Sequence, residues 1–140
     1  MKSDNPLEEL RAVMTDAVPY WRTLGLELKE VSPGRAVFEA QVRHELTQNA
    51  AVVHGGVLAS IADSACAVAA MSQVFPENYA TTINLQIAYL KPLVEGRFRA
   101  QGHCVKAGKT ILFCEAVVFD HKGSVICRAS SQLMVVPWRR

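Results

Sequence analysis

The sequence predicts an α+β fold in which an antiparallel sheet wraps around one long central helix, with a short helix ahead of it. Three observations carry this expectation. A continuous Ala-rich, apolar stretch from Gly55 to Met71 has the composition of a buried helix. Segments on both sides of it alternate with the two-residue period of half-buried strands, and the last strands are joined by connections of only a few residues. At 140 residues the chain fits one domain, 1–140, with 1–23 as an N-terminal helical extension.

In chain order, Asn5 before Pro6 reads as an N-cap followed by proline in the first turn, and Leu7, Leu10, Val13 and Met14 follow at helical spacing. This predicts a short amphipathic helix ending near Pro19. Alternation from Leu24 to Lys29 and from Ala36 to Arg43, around Ser32-Pro33-Gly34, predicts a hairpin. The Gly55–Met71 stretch is 17 residues long and carries one charge, Asp63. That length is marginal for a membrane span and the flanking strands are amphipathic, so a helix wrapped by the sheet is expected. Thr82 to Leu90 is the next strand, with Ile83, Leu85, Ile87 and Tyr89 on one face. Phe98 to Lys106, Thr110 to Asp120 and Ser124 to Val136 complete a long antiparallel meander, turning at Ala107-Gly108 and His121-Lys122-Gly123. Leu112, Val118, Ile126 and Met134 are assigned to the second, outer face of that sheet. An apolar outer face would need covering, so a homodimer or homotetramer is expected.

Composition excludes several classes of function. The net charge is +2 and Lys and Arg are scattered, so neither nucleic acid nor an anionic membrane surface is called for, although a small anionic ligand is compatible. The first ten residues lack the apolar core of a secretory signal, which predicts a cytoplasmic location. Cys66, Cys104, Cys114 and Cys127 occur singly, predicting free, mostly buried thiols rather than a zinc site or redox pair.

The candidate chemistry lies at the start and the centre of the apolar helix. His54-Gly55-Gly56 opens it, and the first amides of a helix have no partner within it. With the positive end of the helix dipole they suit developing negative charge, as an oxyanion hole requires. The same glycines could simply make a tight turn that His54 caps. Asp63 adds weight to the functional reading, because a carboxylate in an apolar helix is costly unless paired or put to use. It is either a salt-bridge partner or a nucleophile or general base.

With these residues in register, the sequence resembles the hotdog-fold acyl-CoA thioesterases, especially the phenylacetate-pathway (PaaI-like) branch. That family's motif has an amide residue, then His-Gly-Gly, then an acid nine positions after the His, matched by Gln48, His54-Gly55-Gly56 and Asp63. Thr82 to Pro92, Gly108-Lys109-Thr110 and Asp120 to Gly123 resemble its following strand and hairpin turns, and the likeness spans roughly Leu24 to Val136. Two departures stand out: Gln48 replaces the usual Asn while Asn49 follows it, and Ala51 replaces a frequent Gly.

The resemblance implies a hotdog fold and hydrolysis of an aryl- or medium-chain acyl-CoA. Catalytic roles fall to Asp63, Gly55, His54, Gln48 and Thr82, and substrate contacts to Asn49, Gly56, Gly108, Lys109 and Arg128. The thioester carbonyl would meet the Gly55 amide while Asp63 of a facing protomer attacks it or activates water. The site would then span a dimer interface. Coenzyme A arrives with the substrate, so no metal or other cofactor is expected. The alternative is a non-catalytic acyl-CoA-binding module, against which Asp63 argues. A hydratase would need a His beside the Asp, and the helix offers none.

Overall fold

The computed structural model of the chain describes residues 4–138; the first three residues of the expected extension and residues 139–140 lie outside it. Helix α1 (Pro6–Ala17) begins as the Asn-Pro start predicts, with the Asn5 side chain accepting a hydrogen bond from the Leu7 amide. Pro19 does not lead straight into a strand. It opens a second helix, α2 (Pro19–Leu24), because proline cannot continue α1 but suits a new first turn. Gly25, at φ 71°, closes α2 in the left-handed conformation. The first strand is thereby delayed from the expected Leu24 to Glu27.

Strands β1 (Glu27–Ser32) and β2 (Arg35–Gln41) form the expected hairpin. The central helix α3 runs Gly55–Val74, three residues beyond the apolar stretch, and eleven of its 20 residues are buried. It is long and apolar enough to cross a membrane by length and composition alone, yet here its apolar surface faces protein. Four strands follow: β3 (Asn78–Tyr89), β4 (Arg97–Ala107), β5 (Ile111–Phe119) and β6 (Val125–Pro137).

The six strands form one antiparallel sheet in the order β1-β2-β4-β5-β6-β3. This corrects the expected meander. Only β4, β5 and β6 follow one another; β3 lies at the far edge beside β6, and β4 joins β2. The connection from Leu90 to Gly96 is therefore a crossover rather than a turn, and its backbone bonds go elsewhere: Val53 N–H to the Leu93 carbonyl and Val42 N–H to the Gly96 carbonyl.

The sheet wraps α3 with small residues at the points of closest approach. Gly102 of β4 lies so near Ala65 that a Cβ there would overlap the Ala65 carbonyl. Ile61, Ala62, Cys66, Val68 and Ala69 of α3 share a core with Phe38, Phe98, Leu112, Val118, Ile126 and Leu133 of the sheet. The expected outer-face assignment is thus wrong for three residues: Leu112, Val118 and Ile126 are fully buried against α3. Of that set only Met134 is exposed, beside Gln132 and Phe113 on a mixed polar and apolar face. The alternation was real, but its phase relative to α3 was misjudged, and a one-residue error reverses the faces of a strand.

The helical extension closes the remaining side. Trp21 of α2 stacks edge-on against Phe38, with centroids 4.9 Å apart, and its Nε1 donates to Ser64 Oγ of α3 at 2.9 Å. Leu10 of α1 packs with Met71 and Phe75 in a smaller cluster, beside Tyr79 and Trp138.

Candidate active site

His54 adopts φ −61° and ψ 135° and caps α3, its Nδ1 accepting the Gly56 amide at 2.8 Å. The carbonyl of His54 takes the amides of Val57 and Leu58. Among the described residues the Gly55 N–H has no partner, so a directed donor stands free at the positive end of a long helix. Gly56 is also required sterically, since a Cβ would lie 2.9 Å from His54 Nδ1.

Beside this end of α3 is a cavity of about 330 Å³ lined by Gln48, Gly55, Leu58, Tyr89, Leu90 and Lys91 among others. Gln48 is among the residues that line this cavity and Asn49 is not, although both are exposed in the turn. That turn is closed by Gln48 N–H to the Val52 carbonyl and Ala51 N–H to the Gln48 carbonyl, and it holds Ala51 at φ 58°. A left-handed alanine explains why glycine suits this position in the resembled family.

Asp63 lies on α3 about two turns beyond Gly55. It is part-buried rather than sealed in the core, and no salt bridge among the described residues involves it. Its partner is a hydroxyl: Thr82 Oγ1 donates to Asp63 Oδ1 at 2.8 Å. A bulge brings this about. The register of β3 against β6 jumps between Thr82 and Asn84, leaving Ile83 as the extra residue, 54% exposed. Strict alternation from Leu85 and Ile87 would turn Ile83 inward and Thr82 outward; the bulge reverses this and aims Thr82 at α3.

Gly55 and Asp63 are eight residues apart on one helix, about 12 Å along its axis. One carbonyl group cannot meet both within a single chain. These residues therefore fall into two candidate half-sites: Gly55, His54, Gln48 and the cavity at one place, and Asp63 with Thr82 at another. Gly56 belongs with the first, through its bond to His54, whereas Gly108, Lys109 and Arg128 join neither. Gly108 and Lys109 lie in the β4–β5 turn, where Gly108 N–H bonds the Ile111 carbonyl, and Arg128 is exposed on the outer face near Gln86 and Glu115.

The sequence reading passed over two cavity residues. Lys91 lies 3.6 Å from Asp120 and donates to Ser124 Oγ. Tyr89 was placed only as an apolar strand position, yet its hydroxyl donates to the Gly55 carbonyl at 2.7 Å. The available signal was its phenol, which needs a partner when its ring is packed. The thiols behave as expected of apolar burial, which pushes Cys66 up to about 12 and Cys127 up to about 11 and raises Cys114 as well. These three are not activated nucleophiles.

Comparison with known proteins bears on the family and the fold. Residues 50–127 match the thioesterase superfamily. The chain is 30% identical over 111 residues to acyl-coenzyme A thioesterase 13 of Homo sapiens, covering 76% of this chain and 77% of that protein. It is 23% identical over 118 residues to 1,4-dihydroxy-2-naphthoyl-CoA hydrolase of Listeria monocytogenes, covering 84% of this chain and 96% of that protein. The solved structure of the E. coli PaaI protein from the phenylacetic acid degradation operon superposes with a TM-score of 0.88 at 20% identity, covering 94% of each chain, and so shares the hotdog fold.

Proposed function

The chain belongs to the thioesterase superfamily, and from that premise we propose that it hydrolyses an aryl- or medium-chain acyl-CoA to the free acid and CoA. The observation that carries the reading is the pair of half-sites on α3: an unpartnered Gly55 N–H at its N-terminus, and Asp63 held by Thr82 two turns on. The aryl preference draws support from the naphthoyl-CoA hydrolase, and the broader acyl-CoA class from the human thioesterase.

Hydrolysis adds water across the acyl carbon–sulfur bond: the oxygen joins the carbon, and the thiolate leaves and takes up a proton. Charge develops on the carbonyl oxygen, and the Gly55 N–H with the α3 dipole stabilises it there. Asp63 of the partner subunit supplies the oxygen nucleophile, through its own carboxylate or by deprotonating water, while Thr82 fixes the carboxylate. The 12 Å separation within one chain is the reason the other half-site must come from a second protomer. Self-association as a homodimer or homotetramer follows, and the unpaired outer edge of β3 offers a surface for it. Lys109 in the β4–β5 turn and Arg128 on the outer face are the proposed contacts for the phosphates of the coenzyme. Coenzyme A enters as part of the substrate, so the reaction needs no further cofactor, and the four unpaired cysteines fit a reducing cytoplasm.

The test is thiol release from a panel of aryl, short-, medium- and long-chain acyl-CoA esters, with Asp63→Asn alongside. Turnover fastest on aryl or medium chains and lost in the variant is expected. Stoichiometric binding without thiol release would instead make this an acyl-CoA-binding module.

A further inference from the structure

We propose that Tyr89 is a positioning residue for the Gly55 amide, holding the free donor where a carbonyl oxygen has to find it; the inference rests on the thioesterase reading. Tyr89 is the last residue of β3, and its hydroxyl crosses to α3 to donate to the Gly55 carbonyl at 2.7 Å. Carbonyls in the first turn of a helix already have an intrahelical partner. This bond is therefore additional to what the helix needs.

Its effect depends on where the peptide planes lie. The peptide joining Gly55 to Gly56 is gripped at both ends, its carbonyl by Tyr89 and its N–H by His54 Nδ1 at 2.8 Å. The unpartnered N–H belongs to the preceding peptide, between His54 and Gly55. That plane is itself held through the His54 carbonyl, which accepts the Val57 and Leu58 amides, and it joins the gripped plane through the two torsions of Gly55, the residue type with the widest conformational range. Fixing the second plane narrows the directions open to the first. The Tyr89 ring adds to this, lying so close over Gly55 that a Cβ there would be 3.2 Å from both Cζ and the hydroxyl oxygen. The contact admits glycine alone without adjustment.

Although the side chain is 53% exposed, desolvation raises the phenol above its ordinary value, with Cys127 adding to the shift. The hydroxyl thus remains a donor throughout the neutral range. The ring also lines the cavity beside Gln48 and Leu58, so a substrate entering there passes it.

Tyr89→Phe keeps the ring over Gly55 and removes only the hydroxyl. Two measurements on the full chain then decide the matter. In amide hydrogen exchange followed by NMR, loss of the grip should speed exchange at Gly56 by about tenfold, the worth of one ordinary hydrogen bond, with the later turns of α3 unaffected. In thioester turnover, kcat should fall by about tenfold with KM within about twofold of the parent, since donor alignment counts most as charge develops. Unchanged exchange at Gly56 overturns the inference whether or not the protein is active. Faster exchange with an unchanged kcat in an active parent overturns it too, leaving a bond that is structural only. A parent that releases no thiol from any acyl-CoA refutes the proposed function instead, and the exchange measurement still decides whether Tyr89 holds the peptide.

Discussion

At the scale of single residues, the account turns on what Asp63 touches. A structural ion pair would show a cation beside it, and the structure shows the Thr82 hydroxyl. Asp63→Asn leaves no buried cation behind and keeps an acceptor for Thr82. Thermal unfolding of the variant should therefore lie within about 1 kcal/mol of the parent, whereas stranding a buried ion-pair partner costs about 3 to 5. Thioester turnover on the same preparation should be lost. A second prediction concerns Ala51, whose φ of 58° is uncomfortable for a side chain. Ala51→Gly relieves that strain but adds freedom to the unfolded chain, so denaturant unfolding should show it neutral to about 1 kcal/mol stabilising, where Ala→Gly at an ordinary position destabilises. Asp63 and His54-Gly55-Gly56 were legible in the sequence because a charge and paired glycines stand out within an apolar run. Tyr89 was not, because its partner lies 34 residues away and only the closed fold brings them together.

Among the elements, the existence of the strands and the buried helix followed from periodicity, while the starts of β1 and β3, the strand order and the phase of each face did not. Alternation in β5 and β6 is compatible with either face pointing inward, and only packing against α3 selects Leu112, Val118 and Ile126. The bulge at Ile83 was illegible for a related reason: it breaks the period on which the strand was recognised, and in doing so it delivers Thr82 to Asp63. Strand β4 comes close to α3 at Gly102, where an added Cβ would overlap the Ala65 carbonyl. Gly102→Ala must push backbone from backbone, so chemical denaturation should reveal a loss of about 1 to 3 kcal/mol or more. A neutral outcome would mean that β4 and α3 separate readily and that the sheet does not wrap the helix this tightly.

For the whole molecule, the two half-sites on α3 and the unpaired edge of β3 point the same way. Ile83 and Leu90, 54% and 58% exposed, lie at and just beyond that edge strand. The chain should scatter light as two or four copies, and a monomer with full turnover would place both half-sites' chemistry within one chain. Gly55→Pro is a suitable partner for the decisive test. Proline fits the first helical position, His54 already has the extended ψ that precedes proline, and the substitution deletes the Gly55 N–H, which has no partner among the described residues. Its ring must still be accommodated beside Tyr89. Alone, Gly55→Pro should lose about 10² to 10³ in rate, and Asp63→Asn should be inactive. Thiol release by mixed oligomers of these two variants, unfolded together and reassembled, tests the shared site directly. Each hybrid pair holds one intact Gly55 facing one intact Asp63, so random pairing should restore about a quarter of the parent activity. If neither variant is active alone and the reassembled mixture gains nothing, Gly55 and Asp63 do not serve one site from opposite protomers.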